Sequence, residues 1–183
     1  MAQSATLTKS LNRTAQEKEG KYLTFALAQE EYGLEILRVR EIIGYIDVTA
    51  IPQKPPYVKV VINLRGQVIP VIELRAKFGM ETTPVTDETC IIVVEIAQAG
   101  RKFNTGIIVD RVREVLDIGG KDIEDAPQIG SSVNTNFILG MGKVGESVKI
   151  LLDINRVLVT ADMIGCLDAH AADAEPSTVQ STN

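Results

Sequence analysis

Histidine, cysteine and tryptophan are scarce in this chain of 183 residues, which contains one histidine, two cysteines and no tryptophan. A Ser-His-Asp or Cys-His catalytic arrangement requires a histidine. His170 lies close to the polar C-terminal end, where a solvated side chain is the simpler interpretation. Cys90 and Cys166 form no CxxC motif, so we interpret both as small buried residues rather than as zinc ligands or a disulfide. We therefore expect a protein that is not an enzyme and has no metal or cofactor.

Long apolar segments are also missing. No run approaches the roughly 18 residues that a membrane-spanning helix needs. The N-terminal stretch MAQSATLTKS lacks the apolar centre of a secretory signal. The net charge of -5 argues against a nucleic-acid-binding surface, because such surfaces are usually basic. These absences predict a cytoplasmic protein that neither inserts into a membrane nor binds nucleic acid.

Polar segments lie at both ends of the chain. Residues 1–19 lack apolar periodicity, and residues 172–183 have the composition of a disordered tail. Between them, runs of Val and Ile are separated by Gly, Asp and Pro. In the whole chain 45% of residues are hydrophobic, which is enough to bury a sizeable core. We expect a folded region between two disordered tails.

The folded region has mainly the pattern of β-strands. In KYLTFAL, from Lys21 to Leu27, apolar residues recur with the period of a half-buried strand. The apolar runs around LRGQ, residues 64–67, predict a hairpin, because Gly66 can adopt the positive φ of a tight turn. Pro70 cannot donate to a ladder and therefore indicates an edge or a bulge.

A second hairpin and a late helix follow from the same kind of pattern. TCIIVVEI and GIIVDRVREVLDI flank the polar AQAGRKFNT, and we interpret them as paired strands. Thr160 is a suitable N-cap for a short helix over residues 160–171, in which Ile164 and Leu167 lie at helical spacing. The fold class is therefore all-β with a short C-terminal helix.

The chain contains an internal repeat. GLEILRVREII, starting at Gly33, and GIIVDRVREVL, starting at Gly106, match at five of eleven positions with an offset of 73 residues. IPVIELRAKF resembles KILLDINRVL with an offset of 80, and in both an apolar strand meets an acidic residue, Glu73 or Asp153. Short strands with close turn signals predict small barrels or a sandwich, and two copies favour a duplicated barrel. Chance similarity between Val- and Ile-rich strands is the alternative.

One glycine motif raises a different possibility. GMGKVG, with Gly140, Gly142 and Gly145, satisfies the G-x-G-x-x-G pattern of dinucleotide-binding proteins. That pattern functions where it opens a helix, whose N-terminus receives a pyrophosphate. ESVKILLDI follows here and has the pattern of a strand, so we favour a glycine-rich hairpin turn. A nucleotide-dependent enzyme is a remote alternative.

Taken together, these stretches resemble the family of CheW-type chemotaxis coupling proteins. The resemblance covers residues 20–168 and rests on EYGLEILRVREI, on NLRG followed by VIPVIELR, on GIIVDRVREV, and on ILGMG with LLDINRVL. It implies two five-stranded, SH3-like barrels packed side by side, the first over roughly residues 20–85 and the second over roughly 86–160. Each V-R-E phrase then lies in an equivalent strand of one of the two barrels.

The resemblance also implies a function. Family members are adaptors that link methyl-accepting chemotaxis receptors to the histidine kinase CheA. The positions matching the receptor-binding surface are Val39, Glu41, Arg65 and Cys90. Arg65 at the hairpin tip can form forked hydrogen bonds to a partner helix, and Val39 and Cys90 can form an apolar floor. Asn63 is expected to hold the hairpin backbone.

The kinase-binding edge implied by the resemblance contains Val58, Val60 and Val68. In the family this edge pairs with the regulatory domain of the kinase, itself a related double barrel. Val60 departs from the family pattern, which usually has Gly there. An adaptor of the same fold that serves another kinase array, such as one controlling pili or surface motility, is the alternative function.

Overall fold

The computed structural model describes residues 13–46, 49–50, 58–127 and 135–159. Within these ranges the chain is dominated by twelve β-strands and carries three short α-helices. The strands are β1 (Gly20–Leu27), β2 (Glu30–Glu35), β3 (Val39–Gly44), β4 (Thr49–Ala50), β5 (Val58–Leu64), β6 (Gln67–Glu73), β7 (Cys90–Gln98), β8 (Arg101–Val109), β9 (Arg111–Ile118), β10 (Ile123–Glu124), β11 (Ile138–Val144) and β12 (Ser147–Leu152). The helices are α1 (Ala15–Lys18), α2 (Leu74–Lys77) and α3 (Ile154–Leu158), and 3-10 turns span Ile36–Arg38 and Gly120–Asp122. No helix in the described ranges is long and apolar enough to cross a membrane.

The strands form two curled, six-stranded sheets. Sheet I has the order β9-β1-β2-β12-β11-β10, and sheet II has the order β3-β7-β8-β6-β5-β4. The all-β class and the barrel-like architecture expected from the sequence are confirmed. The sixth strand of each sheet, relative to the five expected, is a strand of two residues, β10 or β4.

The two sheets are not contiguous halves of the chain. The hairpin β1–β2 hydrogen-bonds to β9 and β12 in sheet I, and the hairpin β7–β8 hydrogen-bonds to β3 and β6 in sheet II. Each repeat therefore contributes its first hairpin to the sheet built from the rest of the other repeat. A division between residues 85 and 86 does not separate these sheets, because local patterns predict strands but not which strands pair over long distances.

The internal duplication is visible in the strand orders. An offset of about 73 residues relates β1, β2, β3 and β4 to β7, β8, β9 and β10, and an offset of 80 relates β5, β6 and α2 to β11, β12 and α3. Corresponding strands occupy corresponding places in sheets I and II. The two V-R-E phrases thus lie in the equivalent edge strands β3 and β9, as the sequence predicts.

The V-R-E phrase forms a β-bulge in both edge strands. In β3 the register shifts between Val39, opposite Val94, and Glu41, opposite Val93, so that Arg40 is the additional residue. In β9 the register shifts at the corresponding point, where the Thr24 hydroxyl accepts from the Glu114 N–H and donates to the Glu114 carbonyl. Bulges interrupt the regular ladder of an edge strand and re-aim its side chains.

In the part of the chain that the structure describes, three apolar clusters make up the core. Two are enclosed by one sheet each: residues such as Val71 and Ile91 in sheet II, and Tyr22 and Leu151 in sheet I. The third cluster, called here the shared core, lies between the sheets and contains buried residues from both, including Phe25 and Ile92.

Two features of the first strand and its surroundings differ from expectation. Strand β1 is buried on both faces from Tyr22 onward, rather than half-buried, because one face contributes to the cluster of sheet I and the other to the shared core.

Residues 13–19 are not a detached tail. A capping box joins Thr14 and Glu17 at the start of α1, and buried Lys18 pairs with Asp125 at 2.7 Å.

Both predicted hairpins are present, although residues 97–98 and 101–105 of the polar AQAGRKFNT lie in the strands of the second hairpin rather than in its connection. β5 and β6 are joined by the turn at residues 65–66, and β7 and β8 by the turn at residues 99–100. Pro70 lies in an interior strand rather than at an edge. The parallel register between β6 and β8 begins only at Val71, so the missing N–H of Pro70 interrupts no pair of that ladder. The C-terminal helix expected over residues 160–171 lies outside the described residues.

Candidate functional site

The hairpin tip between β5 and β6 is a tight turn that presents an arginine to solvent. Arg65 and Gly66 have φ of 52° and 82°, which is the backbone of a type I′ turn. Asn63 Oδ1 accepts a hydrogen bond from the Gly66 N–H at 3.0 Å, as expected for a residue that holds the turn. The side chain of Arg65 is 80% exposed.

Arg65 is oriented by the neighbouring edge strand. Its Nη2 donates to Glu41 Oε1 of β3 at 3.1 Å. The ion pair is solvent-exposed on the arginine side, so it contributes little to stability. Its consequence is geometric, because it directs the planar, forked donor of Arg65 toward β3.

The apolar residues of the expected receptor surface face the other side of β3. Val39 lies opposite Val94 of the shared core and packs against that core, whereas Glu41 lies opposite Val93 of the sheet II cluster. Cys90 also packs against the shared core and is half-buried, and its Sγ donates to the Glu88 carbonyl at 3.1 Å. Arg65 therefore contacts Glu41 on one face of sheet II, whereas Val39 and Cys90 pack separately against the shared core on the other face.

Two exposed apolar residues were missed by the sequence analysis. Ile42 lies opposite Ile92 of the shared core, on the Val39 and Cys90 face, and is 43% exposed. Leu37, in the 3-10 turn before β3, is 87% exposed. A signal was present for Ile42, since two consecutive apolar residues in an edge strand place one of them on each face.

The bulge gives Arg40 a separate role from its neighbours. Arg40 pairs with Glu95 of β7, and Lys102 approaches the same carboxylate at 3.4 Å. The hydrogen bond from Arg40 is the main cause that lowers the pKa of Glu95. Arg40 thus forms its ion pair within sheet II, whereas the next residue, Glu41, contacts Arg65 at the hairpin tip.

The expected kinase-binding edge is described only in part. Val68 of β6 lies opposite Asn63 and is 53% exposed. The backbones of Val58 and Val60 pair with Ile72 and Val71, and their side chains lie outside the described residues. The repeat mate of Val68, Val148 of β12, is 47% exposed.

The glycine motif at 140–145 is part of a hairpin. Gly140 and Gly142 lie within β11, and Gly145 has a φ of 61° in the turn before β12. A helix does not follow it, so the motif lacks the helix N-terminus that binds a pyrophosphate. Among the described residues, no group of three or more His, Cys, Asp or Glu side chains is placed to hold a metal ion.

Fold and surface together define a domain of two curled, barrel-like β-sheets with exposed apolar and charged side chains. Comparisons with known proteins place it more closely. The family model described as CheW-like domain matches residues 21–162, and the chain belongs to that family.

Similar proteins support the same assignment. The chain is 37% identical over 163 residues to a protein named Chemotaxis protein CheW from Klebsiella aerogenes, covering 89% of this chain and 94% of the relative. It is also 37% identical to the protein of that name from Bacillus subtilis, covering 88% of this chain and 96% of the relative. A crystal structure of the scaffolding protein TtCheW from Thermoanaerobacter tengcongensis is similar with a TM-score of 0.70 and 34% identity, covering 79% of this chain and 95% of that one.

Proposed function

We propose that this protein is a non-catalytic adaptor that couples methyl-accepting chemotaxis receptors to the histidine kinase CheA. The observation that carries the proposal is the exposed hairpin tip at which Arg65 is oriented by Glu41. This tip belongs to the same sheet as Val68, a second exposed contact residue. A scaffold requires separate surfaces for its partners rather than an enclosed pocket with titratable groups.

The proposed receptor surface has a polar and an apolar part. Arg65 offers charge-assisted hydrogen bonds to a carboxylate or carbonyl of a helical receptor tip. Val39 and Cys90 form the apolar part, and exposed Ile42 lies between them on the same face of sheet II. A helix that crosses the edge of β3 contacts both parts, which is the helix-in-groove mode of recognition.

The proposed kinase surface is the edge formed by Val58, Val60 and Val68. Val68 is 53% exposed and therefore accessible to a partner at this edge. The expected partner is the regulatory domain of the kinase, which presents a related barrel. Because the family usually has Gly at the position of Val60, we expect this valine to influence which kinase binds. In this role the protein acts on the cytoplasmic side of membrane receptor arrays.

A pair of binding measurements tests the proposal. The purified chain should bind a receptor signalling tip and the regulatory domain of CheA at the same time, without competition. Co-purification from native lysate then distinguishes a chemotaxis kinase from the kinase of a pilus or surface-motility array. Failure to bind either partner at concentrations up to about 100 μM, a free energy of about -5.5 kcal/mol, contradicts the proposed function.

A further inference from the structure

The hairpin of β7 and β8 is longer than the hairpin of β1 and β2, to which it corresponds in the repeat. The first hairpin continues for three residue pairs beyond Gly33, and the second continues for five pairs beyond Gly106. The two additional pairs contain two cations, Arg101 and Lys102, for which the first hairpin has no counterpart. Sheet I forms the equivalent strand order without this extension, so the fold of the repeat does not require it.

Lys102 of the extension shares one carboxylate with the bulge residue of β3. Lys102 Nζ lies 3.4 Å from Glu95 Oε1, and Arg40 donates through Nη2 to Glu95 Oε2. The side chain of Glu95 is only 17% exposed, whereas those of Arg40 and Lys102 are 48% and 71% exposed. The acid thus lies beneath the two cations and orients them, while the cations face the solvent.

The contact between Arg65 and Glu41 lies on the same face of sheet II. Glu41 is opposite Val93 of β7, and Glu95 follows Val93 by two residues, so both carboxylates point to one face. In this pair, too, the acid is more buried than the arginine. Strands β6 and β8 are parallel, so the two hairpin tips from which they start lie at the same end of the sheet. We call the three outward cations at this place the basic end of sheet II: Arg40, Arg65 and Lys102.

The corresponding end of sheet I carries fewer outward cations. Its β11–β12 tip has Gly145 in place of the arginine, and its β1–β2 hairpin is too short to carry a counterpart of Lys102. Arg113 lies 3.2 Å from Glu31, and Lys149, which contacts the same carboxylate, is only 11% exposed. In a chain with a net charge of -5, the basic end is therefore a local positive surface that only one of the two equivalent sheets presents.

Three cations above two shielded carboxylates are complementary to a group of carboxylates on a partner. Acidic side chains three or four residues apart on a helix form such a group, because they lie on one side of it. On the basis of the proposed function, which already assigns Arg65 to the receptor, we propose that the basic end of sheet II binds an acidic stretch of the receptor's helical tip. Arg40 and Lys102 then extend the polar contact of Arg65 along the same face. Exposed charges of this kind mainly accelerate association.

Association kinetics with a receptor signalling tip test this inference on the full chain. At about 50 mM salt, Lys102→Glu should lower the association rate constant by about 3- to 10-fold and leave the affinity for the kinase regulatory domain within about twofold. The loss should nearly vanish at about 0.5 M salt, where charges are screened within a few ångströms. Lys143→Glu is the matched control, because it changes the net charge equally at an exposed, ion-paired lysine of sheet I. It should leave the rate constant within about twofold.

An unchanged association rate in Lys102→Glu overturns the inference, as do equal effects of the two substitutions or an equal loss of receptor and kinase binding. Lys102→Gln, which removes the charge without adding a carboxylate, replaces Lys102→Glu should the latter not fold, with a loss of about two- to threefold.

Absence of receptor binding by the wild-type protein refutes the proposed function instead. Titration with a hexaglutamate peptide, followed by the chemical shifts of backbone amides, then decides whether the basic end binds carboxylates. Shift changes confined to the basic end and lost in Lys102→Glu support a carboxylate-binding surface. Changes spread over both sheets, or none, overturn it.

Discussion

Gly33 and Gly106 occupy equivalent positions in the two sheets, each beside a parallel neighbouring strand. Gly33 of β2 is in register with Leu151 of β12, and Gly106 of β8 is in register with Val71 of β6. A Cβ at Gly33 would lie 2.8 Å from Leu151 Cδ2, and a Cβ at Gly106 would lie 2.9 Å from Ile91 Cγ2. The repeated glycine thus marks the place where each sheet brings its exchanged hairpin into close contact.

Replacement of Gly106 by alanine should destabilise the protein by about 1–3 kcal/mol, the usual cost of overpacking. Its neighbours Ile91 and Val71 are β-branched and buried, so they cannot rotate away easily. Gly33→Ala should cost less, because Leu151 Cδ2 is the end of a more flexible side chain. Urea denaturation of both variants measures the effect. Gly44→Ala is the control, since a Cβ there meets nothing within 4 Å, and an equal loss in all three variants contradicts the explanation.

Removal of a buried hydroxyl next to Gly106 should instead increase the stability of the protein. Thr105 is fully buried in β8, and its Oγ1 has no hydrogen-bond partner in the described structure. An unsatisfied buried hydroxyl costs about 1–3 kcal/mol, so the near-isosteric Thr105→Val should stabilise the protein by about 1 kcal/mol. The midpoint of urea denaturation checks this. A decrease in the midpoint would show that the hydroxyl has a partner, such as a buried water molecule.

The raised pKa of Tyr22 predicts a loss of stability at alkaline pH. Burial is the main cause that raises its pKa from 10.0 to about 12, and its hydroxyl donates to the carbonyl of Lys18. The phenol of the unfolded chain therefore ionises first, so its contribution is fully present below pH 10 and is lost as the pH rises from about 10 to 12. Tyr22→Phe should show a shallower decline of unfolding free energy over this range. Equal slopes for wild type and variant contradict the assignment.

The start of the folded region can be tested at the N-cap of α1. Thr14 accepts from the Glu17 N–H, and the Glu17 carboxylate accepts from the Thr14 N–H at 2.7 Å. Thr14→Ala should cost about 0.5–2 kcal/mol, the range for loss of an N-cap. Thermal unfolding measures this loss. A variant as stable as wild type would support the expectation from composition that residues 1–19 are a tail.

Local chemistry explains how much of this fold could be predicted from the sequence. Gly66 after Arg65 specifies a tight turn, and the repeated V-R-E phrase marks equivalent edge strands, because both features depend on neighbouring residues. The break at Asp110 was missed because GIIVDRVREVLDI was interpreted as one strand, although Asp110 and Arg111 interrupt its apolar run. The exchange of hairpins between sheets was missed for a related reason, because the β2–β12 and β6–β8 pairings join distant segments.

The candidate site could be predicted as a set of residues but not as a shape. The resemblance to the family selected Val39, Glu41, Arg65 and Cys90, and the structure adds that they are divided between two faces of sheet II. The bulge at Arg40 produces this division, because one additional residue puts Val39 and Glu41 on different faces. Their role in binding receptors stays a prediction.

The glutamates after the two bulges should differ in function. Glu41 orients Arg65, whereas the position equivalent to Arg65 in the second repeat is Gly145. Glu41→Ala should therefore weaken receptor binding, and Glu114→Ala should have a milder effect. Isothermal titration with a receptor signalling tip compares the two variants. Equal losses would show that the Glu41–Arg65 contact is not part of the receptor surface.

The most direct test of the adaptor mechanism is the pair of affinities of Arg65→Ala for a receptor signalling tip and for the kinase regulatory domain. The variant should remain folded, because the side chain is 80% exposed and surface substitutions typically change stability by under about 0.5 kcal/mol. Loss of a charge-assisted contact should weaken receptor binding by about 1.5–3 kcal/mol, on the order of ten- to a hundredfold, with kinase binding little changed. Unfolding of the variant, or an equal loss of both partners, would show that Arg65 holds the barrel together and does not bind the receptor.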